Sequence, residues 1–223
     1  MGTSRVIAID GPAASGKGTL ARKLAKELGY AYMDTGALYR AVGYEVLQVG
    51  GDPENEAQAL AGCVALAGKL GGSIGAKALS NTDLRKEECG DAASKVAAIQ
   101  SVRDALLDIQ RDFAANPGEG YKGAVLDGRD VGTVVCPDAT LKLYITASDE
   151  IRADRRMKEL HSKGKIVTKG AVLEDMRARD ARDKARKAAP LRAASDAIVL
   201  DTSDMDAIQV LEAAFKYALE ALA

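Results

Sequence analysis

The sequence predicts an α/β fold, a three-layer sandwich in which helices cover both faces of a central, parallel, five-stranded sheet. Short apolar runs alternate along the chain with segments of helical periodicity, which is typical of parallel strands joined by helices. A chain of 223 residues, of which 47% are hydrophobic, is long enough to bury a substantial core. We therefore expect a single domain over residues 1–223, with smaller pieces inserted into it.

The predicted strands are five short runs rich in Val, Ile, Leu and Tyr. They are VIAID (6–10), YAYMD (30–34), GAVLD (123–127), LKLYIT (141–146) and AIVLD (197–201). Between the first two runs, Leu20, Leu24 and Leu28 recur every fourth residue. Gly29 then stands at a helix-ending position, so the spacing predicts a helix over residues 17–28.

Two further helices are predicted by paired polar residues that resemble N-terminal capping arrangements. The pairs are Ser101 with Asp104, for a helix near 102–115, and Ser203 with Asp206, for a helix near 204–221.

Two segments fit the alternation less well. Residues 50–92 contain the helical stretch EAQALAGCVALAGKL followed by a glycine-rich stretch without a clear period, and we expect a mobile insertion there. Residues 161–170, HSKGKIVTKG, predict a basic loop between two charged helices. They lie within residues 152–192, which hold 14 Lys or Arg against 6 Asp or Glu, so we expect an anionic molecule to meet this segment.

The bulk composition argues against several classes of protein. A net charge of −1 and an isoelectric point near 6.0 give no global attraction to nucleic acid or to an anionic membrane. Cys63, Cys89 and Cys136 lack the spacing of a disulfide framework or a zinc site. No apolar run is long enough to span a bilayer, and no signal peptide or lipid anchor is predicted. We therefore expect a cytoplasmic protein.

The stretch GPAASGKGTL after the first strand nearly matches the phosphate-binding pattern G-x-x-x-x-G-K-S/T. Gly18 occupies the position where the pattern has a hydroxyl residue, and Thr19 follows it. Backbone amides of such a loop, with the positive end of the following helix, form an anion site that owes little to side chains. The alternative is a tight turn with a solvated lysine. The predicted phosphate-binding residues are Gly11, Pro12, Ala13, Ala14, Ser15, Gly16, Lys17, Gly18 and Thr19.

Four further motifs follow the loop along the chain. They are DTGALYRA (34–41), DAASKVAAIQSVRDAL (91–106), LDGRDVGTVVCPDA (126–139) and RARDARDKARKAAPL (177–191). With the G-K-G-T string, which is similar to the loops of nucleoside monophosphate kinases, this ordered set resembles the bacterial cytidylate kinase family. The resemblance runs from residue 5 to about 203, with a gap in the middle.

The resemblance implies a P-loop NTPase-type fold that moves the γ-phosphoryl group of ATP, with Mg²⁺, onto CMP and dCMP. In nucleoside monophosphate kinases Mg²⁺ is held mostly by phosphates and water, so no set of protein metal ligands is assigned. The implied partners are these small molecules, with no nucleic acid and no membrane, and we expect a monomer. The segment near 50–92 would bind the acceptor, and residues near 152–170 would form a lid.

Individual charged residues suit this chemistry. Arg40 lies one and a half turns into a helix opened by Asp34, and its fork could grip a monophosphate with a bidentate geometry that lysine lacks. Asp127 ends an apolar strand, where it could order the waters of Mg²⁺ or simply cap the next turn. Arg129 and Asp130 could merely pair with each other. The resemblance instead implies that Arg129 contacts the acceptor phosphate and Asp130 the base.

Asp130 suits cytosine, since the exocyclic amine of cytosine donates to a carboxylate and uracil presents a carbonyl oxygen there. The i, i+4, i+7 spacing of Arg179, Asp183 and Arg186 predicts one helical face, which a solvated ladder of ion pairs would also produce. The predicted catalytic residues are Lys17 on the β and γ phosphates, Asp127, Arg129 and the lid arginines Arg152, Arg155 and Arg156. The implied substrate contacts include Thr35, which stands where many relatives have serine. The others are Arg40 and Arg129 on the acceptor phosphate, Ser94, Arg103, Asp130 and Arg186 on the base, and Arg179 and Asp183 on the sugar.

The resemblance departs from the family at residues 68–90, where relatives usually carry a small strand-rich insertion and this chain is shorter. Alternatives therefore stay open. The first is another small-molecule kinase of this fold, acting on UMP, AMP or shikimate. A nucleotide-gated binding module is disfavoured because the guanine-reading tetrapeptide N/T-K-x-D is absent from the sequence. RNA binding through residues 152–192 is disfavoured by the acids and the lack of aromatics there.

Overall fold

The computed structural model describes residues 5–70, 79 and 81–223. Within these residues the strands are β1 (Arg5–Asp10), β2 (Ala31–Asp34), β3 (Gly123–Gly128), β4 (Leu141–Thr146) and β5 (Ile198–Asp201). They form one parallel sheet in the order β2-β3-β1-β4-β5, which confirms the predicted fold class. Each strand falls on one of the five predicted apolar runs.

The central strand β1 is apolar along most of its length because it has a neighbouring strand on each side. Ile7 and Ile9 are fully buried. Ile9 pairs in register with Asp127 of β3 and with Leu143 of β4. Since the strands are parallel, the carboxyl ends of β1 and β3 lie side by side, which is where sheets of this kind bind their ligands.

The helices of the described residues alternate with the strands, as predicted. They are α1 (Lys17–Leu28), α2 (Thr35–Gln48), α3 (Glu56–Lys69), α4 (Glu87–Val96), α5 (Gln100–Ala115), α6 (Asp149–Ser162), α7 (Lys169–Ala185) and α8 (Ala207–Leu222). A short 3-10 helix spans Thr82–Arg85 and a π-helical turn spans Val131–Val135. The predicted basic loop is the connection between α6 and α7.

Helix α1 has the bounds that the leucine spacing predicts. Leu20 and Leu24 are buried in the main core, together with residues of β1, β3, β4 and α8. Gly29 ends the helix in the left-handed conformation, with φ 67°, and its N–H bonds back to carbonyls of the last turn. A residue without a Cβ adopts this conformation at little cost, so the position of the helix end follows from the sequence.

The two predicted capping pairs are wrong in detail. Ser101 lies inside α5, which begins one residue earlier, and its hydroxyl donates to Glu56 Oε1 at 2.6 Å. Helix α8 is capped by Asp206 itself and not by Ser203. The Asp206 carboxylate accepts from the Gln209 N–H at 2.9 Å, and Gln209 Oε1 accepts from the Asp206 N–H at 2.9 Å, a reciprocal capping box.

The chain packs as two compact units, Met1–Met33 with Arg111–Ala223, and Asp34–Gln110. In the second unit α2 lies very close to α4, since a Cβ built on Gly43 would stand 2.8 Å from the Cβ of Ala92. The helical part of the predicted insertion is α3. Residues 71–78 and 80, which hold most of its glycine-rich stretch, lie outside the described residues.

Candidate active site

The loop between β1 and α1 has the backbone of a phosphate cradle. Gly16 and Ala14 have positive φ angles of 90° and 56°, so the chain curls tightly before the helix. A Cβ on Gly11 would lie 2.1 Å from the Ile145 carbonyl oxygen, so only glycine fits there. No side chain caps α1 at Gly16. The first amides of the helix are therefore available to an anion.

Two side chains of this loop are buried donors. Lys17 is buried and not solvated, and its ammonium donates to the Pro12 carbonyl at 3.2 Å. Ser15 is also buried, and among the described residues its hydroxyl has no hydrogen-bond partner. A buried donor without a partner is costly, and a phosphate oxygen would satisfy it. Both residues fit a nucleotide phosphate held by the loop.

Asp127 lies beside the first turn of α1. A Cβ on Gly18 would be 3.5 Å from Asp127 Oδ2 and 3.9 Å from the Tyr32 hydroxyl, so glycine leaves open space next to the carboxylate. The Tyr32 hydroxyl donates to Asp127 Oδ1 at 2.7 Å and fixes its orientation. A buried, oriented carboxylate thus faces the position at which the usual loop pattern carries its magnesium-binding hydroxyl.

Asp10, the last residue of β1, is a buried carboxylate that was not predicted from the sequence as a site residue. Its Oδ1 accepts from the Val131 N–H and its Oδ2 from the Gly132 N–H, both at 2.8 Å. Burial raises the pKa of Asp10 to about 7; the two amide hydrogen bonds oppose this rise, Asp130 adds to it, and Lys17 opposes it. Asp10 therefore fixes the turn that follows the Arg129 and Asp130 pair of the third motif.

Asp183 of α7 stands between two arginines. Arg129 Nε donates to Asp183 Oδ2 at 3.0 Å, and Arg186 Nη2 donates to Asp183 Oδ1. Asp183 is 1% exposed, so this is not a solvated ladder. The single helical face predicted from the spacing is wrong at Arg186, because α7 ends at Ala185. Two guanidinium groups, one from the third motif and one from the fourth, therefore meet at one buried carboxylate.

The three predicted lid arginines of α6 have different surroundings. Arg155 donates to the Ser15 carbonyl at 3.1 Å and to the Thr202 carbonyl at 2.7 Å. Arg156 pairs with Glu159 of its own helix at 2.8 Å and is partly exposed. Arg152 is buried and its guanidinium donates to the Ala13 carbonyl at 3.1 Å. Two of the three therefore contact the backbone of the phosphate loop.

Four predicted acceptor residues belong to the unit Asp34–Gln110. The guanidinium of Arg40 pairs with Asp34, the capping residue of α2, at 2.6 Å. Arg103 of α5 donates to the Ala97 carbonyl at 3.3 Å and lies 5.6 Å from the centre of the Tyr39 ring. This ring joins Arg103 to α2. The other two, Thr35 on α2 and Ser94 on α4, are buried.

Comparison with known proteins over nearly the whole chain identifies its family. The model of the cytidylate kinase family matches residues 7–220. The chain belongs to the cytidylate kinase family. It is 58% identical over 211 residues to the cytidylate kinase of Paramagnetospirillum magneticum, covering 95% of this chain and 96% of that protein. It is 56% identical over 209 residues to that of Rhodospirillum rubrum, covering 94% of each chain. The resemblance drawn from the motifs is confirmed.

The solved structures support the fold alone. An uncharacterized protein from Eubacterium ventriosum aligns with a TM-score of 0.57 at 15% identity, over 97% of this chain and 99% of that one.

Among the described residues, no helix is long and apolar enough to cross a membrane. The same residues contain no cluster of three or more potential metal-ligating side chains.

Two buried acids of the first unit were not predicted from the sequence. One is Asp10, and the other is Asp180 of α7, which accepts from the Ala13 N–H at 3.2 Å. Asp10 carried a local signal, since it is an acid at the end of an apolar central strand. Asp180 carried none, because an acid three residues before another acid on a charged helix is typical of a solvated face.

Proposed function

We propose that this protein catalyses the ATP-dependent phosphorylation of CMP and dCMP to their diphosphates. The observation that carries the proposal is the phosphate loop with its buried Lys17 and Ser15, in a chain of the cytidylate kinase family. The loop binds the donor nucleotide, and residues of the four further motifs bind the acceptor. The reaction needs no histidine base, because a phosphate monoester is already an anionic nucleophile at neutral pH.

The donor phosphates lie along the loop in this proposal. The α1 amides and the Ser15 hydroxyl donate to phosphate oxygens, and Lys17 exchanges the Pro12 carbonyl for the β and γ phosphates. Mg²⁺, when bound, neutralises charge that develops on the phosphates. Asp127 fits this cation, since its carboxylate is oriented by Tyr32 and faces the space left by Gly18. It would order the water ligands of the ion.

The acceptor is held by paired charges. Arg40 and Arg129 grip the phosphate of CMP, each already oriented by a carboxylate, Asp34 and Asp183 respectively. Asp130 accepts a hydrogen bond from the exocyclic amine of cytosine. The acceptor is also contacted by Thr35, by Ser94, Arg103 and Arg186 at the base, and by Arg179 and Asp183 at the sugar hydroxyls.

Phosphoryl transfer proceeds when an oxygen of the CMP phosphate attacks the γ phosphorus and ADP leaves. The protein supplies position and positive charge, for which an arginine contributes about 10³ to 10⁵ in rate. Arg155 and Arg156 supply this charge from the lid, residues 152–170. Closing the lid over the substrates excludes water, which would otherwise accept the phosphoryl group. The protein acts as a cytoplasmic monomer in this proposal.

An acceptor panel tests the function. ADP release is measured with CMP, dCMP, UMP, AMP and shikimate at equal concentration, with ATP and Mg²⁺. We expect CMP and dCMP to be preferred over UMP by a large factor, because a buried carboxylate facing a carbonyl leaves both acceptors unpaired. A rate with UMP equal to the rate with CMP, or a preference for AMP or shikimate, would assign the protein to a different kinase activity.

A further inference from the structure

The ion pair between Arg152 and Asp180 binds both backbone polar groups of Ala13, a residue of the phosphate loop. The Ala13 N–H donates to Asp180 Oδ1 at 3.2 Å, and the Ala13 carbonyl accepts from Arg152 Nη1 at 3.1 Å. The same Nη1 donates to Asp180 Oδ2, which closes the ring. Ala13 directly precedes Ala14, whose φ of 56° is uncommon for a residue with a Cβ.

Both charged residues are buried, and every guanidinium nitrogen of Arg152 has a protein acceptor. Arg152 and Asp180 are each 5% exposed. The remaining nitrogens of Arg152 donate to the Ala147 carbonyl, at 3.2 Å from Nε, and to Asp149 from Nη2. A guanidinium that uses every nitrogen on protein acceptors is a fixed anchor, unlike Arg156, which is partly exposed and pairs within its own helix.

We propose that the Arg152–Asp180 ion pair is a positioning device for the phosphate loop, and that Arg152 acts on the loop instead of the transferring phosphate. The proposal rests on the donor site described above, in which ATP phosphates bind this loop. Holding Ala13 from both sides keeps Ala14 in its strained conformation and keeps the following amides directed at one point. The loop is thereby preorganised, and ATP binding does not have to order it.

The pair also connects helices α6 and α7 to the donor site. Arg152 comes from α6 and Asp180 from α7, so both helices are fixed to the loop through the same residue. Neither residue needs to touch substrate for this role. A change at Asp180 should therefore weaken ATP binding without changing the affinity for the acceptor.

The variant Asp180→Asn tests the device with little change in shape. A carboxamide has one acceptor oxygen, so it can satisfy either the Ala13 N–H or Arg152, and its amide hydrogens face a second donor. ATP binding is measured by titration calorimetry without acceptor. We expect the Kd for ATP to rise about tenfold or more, while the KM for CMP changes less than about twofold. Arg152→Lys, which retains charge but not the fork, should also raise the Kd.

The matched control is Asp154→Asn. Asp154 of α6 pairs with Lys169 of α7 at 2.7 Å, so this variant breaks another ion pair between the same two helices, at a partly exposed site. Its ATP affinity should equal that of the unmodified protein. An equal loss in Asp154→Asn would mean that the association of the helices, and not the grip on Ala13, controls the loop, and would overturn the proposal.

Other outcomes are also decisive. An unchanged Kd with a reduced number of binding sites in Asp180→Asn would show that the residue supports folding only, and an unchanged Kd with full occupancy would show no role. Either result contradicts the device while leaving the proposed kinase function intact. Failure of that function is seen separately, as unmodified protein that binds ATP and does not convert CMP. If Asp180→Asn does not fold, Arg152→Lys gives the same reading.

Discussion

Replacing Asp10 with asparagine should change how the stability of the protein depends on pH. Asp10 is buried at the end of β1 and its pKa is raised to about 7 from an ordinary value of 3.8, chiefly by burial. Between these two values the folded protein keeps a proton on Asp10 that the unfolded chain releases. The free energy of unfolding therefore falls as pH rises through this window, and the asparagine variant lacks this component.

The size of the effect follows from the two pKa values. With 3.8 in the unfolded chain and about 7 in the folded protein, linkage gives a loss of about 2.5 kcal/mol between pH 5 and pH 8. The variant carries a separate cost of about 1 to 3 kcal/mol at every pH. This cost arises because its amide group faces either the Val131 or the Gly132 N–H, where a carboxylate oxygen accepted before.

Urea denaturation of both proteins at pH 5, 6, 7 and 8 measures this difference. Subtracting the two curves removes the contributions of the carboxylates with lowered pKa, such as Asp149 and Glu159, because both proteins share them. The stability advantage of the unmodified protein should shrink by about 2.5 kcal/mol from pH 5 to pH 8. A difference that stays constant within about 0.5 kcal/mol would refute the buried, protonated state of Asp10.

Three further substitutions test the site. Gly11→Ala should lower the free energy of unfolding by about 3 kcal/mol, since its Cβ would meet the Ile145 carbonyl oxygen at 2.1 Å, and a loss below about 1 kcal/mol in urea denaturation would contradict that geometry. Asp130→Asn should reduce the ratio of kcat/KM for CMP over UMP about 10²-fold, because an amide can turn its N–H groups to the uracil carbonyl; an unchanged ratio would mean that Asp130 does not read the base. Tyr32→Phe removes the 2.7 Å hydrogen bond to Asp127 and should lower kcat about tenfold while raising the Mg²⁺ concentration that gives half the maximal rate. Unaltered Mg²⁺ dependence in this variant would contradict the proposal that Asp127 orders the water ligands of Mg²⁺.

The sheet, α1 and the phosphate loop could be predicted because their signals are local. The five apolar runs are short and bounded, and Gly29 directly follows the last leucine of α1. The loop is predicted by Gly11, Gly16 and Lys17, because the backbone conformation that glycine allows does not depend on how distant parts of the chain pack. Such elements depend on contacts within a few residues, so the sequence carries the information directly.

The features that were missed or wrong depend on distant contacts. Asp10 bonds to amides 121 and 122 residues away, and Asp180 bonds to an amide 167 residues away. Ser101 resembles a cap in isolation, but Glu56, 45 residues away, takes its hydroxyl. A capping pattern or a charged helix face shows which side chains can form hydrogen bonds or ion pairs. Tertiary packing decides which partner each group finds.

The acceptor residues fall between these cases. Motif order led to Arg129 and Arg186, and their shared partner Asp183 was named for a sugar contact without its ion pairs. The spacing placed Arg186 on the helix, although the helix ends one residue earlier. The side chain still reaches Asp183, because a residue just beyond a helix end remains close to the last turn.

A crystal structure with a non-hydrolysable ATP analogue and CMP tests the central claim most directly. We expect oxygens of the β and γ phosphates within about 3 Å of Ser15 Oγ and Lys17 Nζ, with the cytosine amine at a similar distance from the Asp130 carboxylate. Phosphates bound away from residues 11–19, or a pyrimidine ring that does not contact Asp130, would contradict the account.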